Sequence, residues 1–219
     1  MNKILISLSR ITVCLAVFLL SLESMAIAES LEGRWGMGFR LGPSSLVQTL
    51  SEKTEGEPGL IINGNISYGL TDKVFAGLQV EWEKHKVQDN SSNFNYGDET
   101  TVSLIPTIEF HPRGGSSFSP YGLLGLGINF NSFNESSDLN ALCAPALCRI
   151  EPKNTVALKG GLGIDYFITP HLAYNGELGL KMNDGSSDIT GTFPGFTSGT
   201  SIDNRVCVVS LIFGVHYYY

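Results

Sequence analysis

Ten charged residues carry the most visible chemistry in this 219-residue chain: the acids Glu32, Glu81, Glu83, Glu109, Asp165 and Glu177, and the bases Arg34, Arg40, Lys159 and Lys181. Each falls on the polar side of a segment in which apolar and polar residues alternate. In a strand, successive side chains point to opposite faces, so such alternation gathers these charges on one face. With Arg205 as a further base, the set is close to balanced. If the face is enclosed, the charges persist only when paired and hydrogen-bonded to one another. The expectation is a buried salt-bridge network, with a narrow polar path for ions as the functional alternative. Glu81 and Glu83 share that face, and the nearby bases make them a structural pair.

Two cysteines offer a second kind of chemistry. Cys143 and Cys148 stand five positions apart in a polar stretch. In an exported chain this spacing favours a disulfide. Closing so short a loop contributes about 2 kcal/mol in the chain-entropy model. A metal site would need more ligands, and no histidine is near. Cys207 is left unpaired. No cofactor is expected.

The elements that position these residues are eight alternating windows: 31–41, 60–70, 74–83, 101–111, 121–131, 155–167, 172–182 and 205–219. In 31–41 the apolar set is Leu31, Trp35, Met37, Phe39 and Leu41. In 155–167 it is Val156, Leu158, Leu162, Ile164 and Tyr166, with Lys159 and Asp165 opposite. Each window is long enough to cross a bilayer as a tilted strand. A soluble sandwich would alternate too, so three further features decide. Connections alternate between long and polar (42–59, 84–100, 132–154, 183–204) and short (71–73, 112–119, 168–171). Aromatics of the apolar face gather at strand ends: Phe39, Trp82 and Phe130 at one end, and Tyr68, Phe110, Tyr166 and Tyr217 at the other. Charges avoid the apolar face of every window, with Arg205 at a strand edge. Interfacial aromatic girdles and loop asymmetry are features of a membrane barrel. The reading is an all-β, eight-stranded antiparallel transmembrane β-barrel over residues 29–219, with its charged face lining the lumen.

The first 28 residues read as a cleavable signal peptide: Lys3 and Arg10, an apolar stretch from Ile11 to Leu22, then Ala26-Ile27-Ala28 before Glu29. Removing Lys3, Arg10 and Glu23 leaves 12 basic and 20 acidic residues, a net charge of −8 against −7 for the whole chain. That balance argues against nucleic acid as a partner. Beyond Glu29 nothing approaches 18 consecutive apolar residues, so no helical span is expected.

Residues 103–130, "SLIPTIEFHPRGGSSFSPYGLLGLGINF", resemble a hairpin of the small OmpW/OmpA-type outer-membrane barrels. Residues 157–180, "ALKGGLGIDYFITPHLAYNGELGL", and 66–78, "ISYGLTDKVFAGL", resemble further hairpins of the same superfamily. The resemblance leans to OmpW, a barrel without a periplasmic domain, since this chain also ends at its last strand. The C-terminal run Phe213, Val215, Tyr217 and Tyr219 resembles the signal read by the outer-membrane assembly machinery. The resemblance implies a non-enzymatic protein of the cell outer membrane, with that machinery, membrane lipid and lipopolysaccharide as partners. It implies a narrow channel for small apolar solutes or ions. The alternative is a surface-interaction or envelope-stability protein that presents acidic loops to host molecules or lipopolysaccharide. Some small barrels are lipid A deacylases, but the His-x-Ser pair of those enzymes is missing. After His85, His111, His171 and His216, the second residue is Val87, Arg113, Ala173 or Tyr218. Pro106, in mid-strand, lacks the N–H a paired wall needs. A bulge is expected there, with a lateral exit for apolar molecules as the alternative suggested by the resemblance.

Overall fold

Alternation with period two has one stable use in a chain this rich in strand formers, which is a sheet with two chemically different faces. The computed structural model describes residues 30–48, 54–56, 58–89, 94–113, 116–144, 147–193 and 196–219. In chain order the elements are β1 (Trp35–Gln48), β2 (Thr54–Gly56), β3 (Gly59–Gly69), β4 (Val74–Asp89), β5 (Phe94–Phe110), β6 (Phe118–Glu135), the helix α1 (Ser137–Cys143), β7 (Leu147–Pro152), β8 (Thr155–Phe167), β9 (Leu172–Phe193) and β10 (Phe196–Tyr218). The eight longer strands pair antiparallel in the order β1-β3-β4-β5-β6-β8-β9-β10, and β10 returns to pair with β1. Through this closure each of the eight longer strands is paired on both sides over its membrane part, as a strand structure in hydrocarbon requires.

The two faces are inverted relative to a soluble protein. Arg40 and Lys159 are 0% and 1% exposed, while Leu124 and Leu162 are 70% and 69% exposed. An exposed apolar belt of that extent is stable only against lipid. Among the described residues no helix is long and apolar enough to cross a membrane.

Three expectations need correction. First, much of the four long connections is strand. β9 and β10 pair without interruption from Leu172↔Tyr217 to Phe193↔Phe196. At 22 and 23 residues they rise well beyond a hydrocarbon core of about 30 Å. Past the bilayer the outer face no longer has to be apolar. The alternation therefore fades from the sequence while the ladder, already in register, continues. β2 and β7 fill the same wall: β2 pairs with β4 beyond the end of β3, and β7 with β9 beyond the end of β8.

Second, the first strand begins at Trp35 and not at Leu31. Gly33 has φ 76°, a conformation natural to glycine. The turn there, with Gly33 N–H bonded to Gly69 O at 2.9 Å, sends Leu31 under the barrel, where it is buried with Phe75, Phe167, Ala173 and Tyr218. Third, Pro106 makes no bulge. The β5–β6 ladder runs to Leu104↔Ile128 and resumes at Thr107↔Gly125 with its register unchanged. The rungs at Ile105 and Pro106 are skipped, the second consistent with the missing N–H of proline. The strands stay close there: a Cβ on Gly127 would lie 2.1 Å from Leu104 O.

A charged layer across the lumen

Parity places the charged side chains, and the small bore of an eight-stranded barrel brings them together. Lys159 on β8 reaches across the lumen, its Nζ 2.5 Å from Glu81 Oε1 and 2.8 Å from Glu177 Oε1. Lys181 on β9 binds the same Glu81 at 3.1 Å and Glu83 at 3.0 Å. Arg40 on β1 pairs with the other oxygen of Glu177 and donates twice to Asn63 Oδ1, at 2.7 and 3.0 Å. Three cations and three carboxylates thus form one chain of shared partners, joined by Asn63, Gln79, Ser103 and Tyr121. Sharing matters energetically. A lone buried pair seldom offsets its desolvation, whereas a network that satisfies most donors and acceptors holds its members firmly.

Towards the short-turn end lies a second polar group. Asp165 accepts from Asn175 at 2.7 Å and from the Tyr218 hydroxyl at 3.0 Å, and pairs with His216 Nδ1 at 3.1 Å. Glu109 meets His111 at 3.5 Å, and His111 stacks on Tyr121 with ring centroids 5.0 Å apart. Below this, Leu31, Phe75, Phe167, Ala173 and Tyr218 close the barrel with apolar surface.

Eight of the ten expected charges, all but Glu32 and Arg34, face the lumen and are buried. Glu32 is exposed beside the Gly33 turn, so its placement in the lumen is corrected. Arg34 sits at the rim, with Nη1 3.5 Å from Pro170 O and 3.4 Å from His171 Nδ1. Both corrections follow from the later start of β1. The side chain of Arg205 and the segment 1–28 lie outside the described residues. Phe213, Val215, Tyr217 and Tyr219 all point outward from the closing strand and its end. The sulfurs of Cys143 and Cys148 are bonded, with Cα atoms 5.9 Å apart, and the bridge ties α1 to β7. Tyr121, Phe75, Phe167 and Tyr218 were missed as lumen residues. Their parity opposed the apolar face, but their apolar character masked it. Ser44 Oγ and His85 Nε2 are 3.2 Å apart, also inside the wall and buried. Among the described residues no cluster of three or more histidines, cysteines or acids could hold a metal ion.

The model of the family described as outer membrane protein beta-barrel domain matches residues 12–211. The chain belongs to that family. Its barrel is similar to that of OprG from Pseudomonas aeruginosa, at 19% identity and a TM-score of 0.62, covering 89% of this chain and 99% of that one. AlkL, solved in lipid bilayers, is similar at 17% identity and a TM-score of 0.56, covering 89% and 94%. Ail, the attachment invasion locus protein of Yersinia pestis, is similar at 15% identity and a TM-score of 0.50, covering 86% and 99%. A search of curated proteins finds no match. At these identities the likeness is one of fold. In this outer-membrane barrel the short turns belong on the periplasmic side, and the prolonged strands and α1 on the outer side.

Proposed function

We propose that this barrel is a non-enzymatic, non-conducting scaffold whose outer extension is an interaction surface. One observation carries the reading. Arg40, Asn63, Gln79, Glu81, Lys159 and Glu177 come from five strands, meet inside the lumen, and are all 0–1% exposed. An aqueous pore through that layer would leave its lining open to water, and the apolar closure on the periplasmic side adds a second barrier. The channel implied by the OmpW resemblance would need an accessible path, and the close approach of β5 and β6 at Pro106 argues against a lateral one.

The outer extension is built to hold a shape. The Cys143–Cys148 bridge pins α1 to β7, and β7 is paired to β9. Ile150 N–H donates to Glu135 Oε1 at 3.0 Å, joining β7 to β6. Leu142 stands 71% exposed on this braced unit, beside the surface pair Arg149–Glu151 at 2.9 Å. A rigid surface loses less conformational entropy on binding than a flexible loop. Ail, which shares the fold, is by its name an attachment protein. Lipopolysaccharide or host surface molecules are the partners this reading favours.

Cells displaying the protein should bind immobilised lipopolysaccharide or host glycoprotein more than cells lacking it. Replacing 137–151 by a Gly/Ser linker should remove that binding and leave heat-modifiable gel migration intact. Equal binding by both would overturn the reading. Export by a signal cleaved after Ala28 is part of the same proposal, and the mature protein should begin at Glu29.

A further inference from the structure

The lipid side of the wall carries a groove of about 700 Å³ that crosses β5, β6, β8 and β9 and reaches Val209 on β10. Its floor is made by two glycines two rungs apart on the β6–β8 ladder: Gly122, opposite Phe110 and Leu162, and Gly160, opposite Leu124 and Leu180. Leu124 and Leu162, both strongly exposed, rise on either side. Every residue lining the groove is apolar or glycine.

Packing within the barrel does not require these glycines. A Cβ on Gly122 or on Gly160 would meet nothing nearer than 3.8 Å. Gly214 is a contrasting case, since a Cβ there would lie 1.9 Å from Phe39 O. A strand glycine weakens its strand, and where the fold does not need it, it often marks the close approach of something else.

We propose that the groove seats one acyl chain of a periplasmic-leaflet phospholipid, with the phosphate held by Lys73 and Arg113. Shape and charge select this occupant. The slot runs over the two glycines between Leu124 and Leu162. A hydrocarbon chain fits it, whereas the convex wall of a second barrel would rest on the ridges. Phe110 ends β5 at the periplasmic edge, so the groove opens towards that interface. Lys73 lies in the turn next to that end of β5, its carbonyl accepting from His111 N–H at 2.7 Å, and Arg113 lies three residues beyond Phe110 in the next turn. Both cations are exposed. The neighbouring Asp72 is engaged by the Ser30 hydroxyl. A phosphate at this edge meets two cations, and such basic edges attract anionic lipid groups.

Native mass spectrometry in mild detergent with added phosphatidylethanolamine tests the site. The intact barrel should retain one phospholipid. Gly160→Leu and Gly122→Leu should each lower that occupancy about tenfold, equivalent to about 1.4 kcal/mol. Arg113→Gln together with Lys73→Gln should lower it severalfold and leave binding of diacylglycerol, which lacks the phosphate, unchanged. Gly64→Leu, on β3 and outside the lining of this groove, should match the wild type. Heat-modifiable migration checks that each variant folds. If the glycine variants fail to fold, the Arg113/Lys73 pair decides alone. Equal retention by Gly160→Leu and Gly64→Leu would overturn the proposal. So would a dimer that Gly160→Leu abolishes, because the groove would then be a contact between copies.

Discussion

The ammonium of Lys159 lies 2.5 Å from one carboxylate, Glu81, and 2.8 Å from another, Glu177. It is the link between the Lys181 side of the lumen and the Arg40 side. Replacing it with Met leaves two carboxylates facing each other in a site closed to water. Breaking a buried pair from one side costs about 3–5 kcal/mol. Lys159→Met should therefore lower stability by that order in urea unfolding from lipid vesicles. Adding Glu177→Gln should recover part of the loss by restoring equal numbers of cations and carboxylates, with Arg40 and Lys181 facing Glu81 and Glu83. Equal stability of Lys159→Met and wild type would show that the link contributes nothing.

Parity along the closing strand gives a second prediction. Leu211 is 43% exposed and its neighbour Ser210 is 6% exposed. A charge on the lipid face near the bilayer midplane costs about 2–4 kcal/mol. Leu211→Arg should impair folding into vesicles severely. Ser210→Asp should be milder, because that face already holds carboxylates such as Glu109 and Glu177, although overpacking a filled lumen also has a cost. Greater damage from Ser210→Asp would invert the assignment of the two faces.

The outer disulfide should act locally. Cys143→Ser should make 137–152 sensitive to protease while the membrane barrel stays intact. The loss is about 2 kcal/mol for so short a loop, confined to α1 and β7. Protection equal to wild type would show that pairing of β7 with β9 suffices to hold the unit.

The membrane part of this fold was legible in the sequence because lipid on one side and a charged lumen on the other impose opposite chemistries on alternate residues. Lys159 and Glu177 could be assigned to the lumen from parity alone. The outer extension was not legible, because beyond the bilayer neither face must be apolar. Polar runs such as 183–193 then look like loops while they pair as strands. The apolar closure was hidden for a related reason. Phe75, Phe167 and Tyr218 are aromatic residues on the lumen side, so their composition pointed to lipid and only their position pointed inward. Alternation puts Leu31 on the lipid face, but the turn at Gly33, two residues before β1, sends it beneath the barrel. The pairing of each carboxylate with a particular base depends on strand stagger, which no single strand encodes.

A charged layer with an apolar closure beneath it should leave no continuous aqueous path through the barrel. Conductance of the purified protein in a planar bilayer tests this most directly. The wild type should give no stable current steps at moderate voltage, in preparations whose heat-modifiable migration shows a folded barrel. Reproducible openings from that folded protein, at a frequency that rises with the amount of protein added, would contradict it.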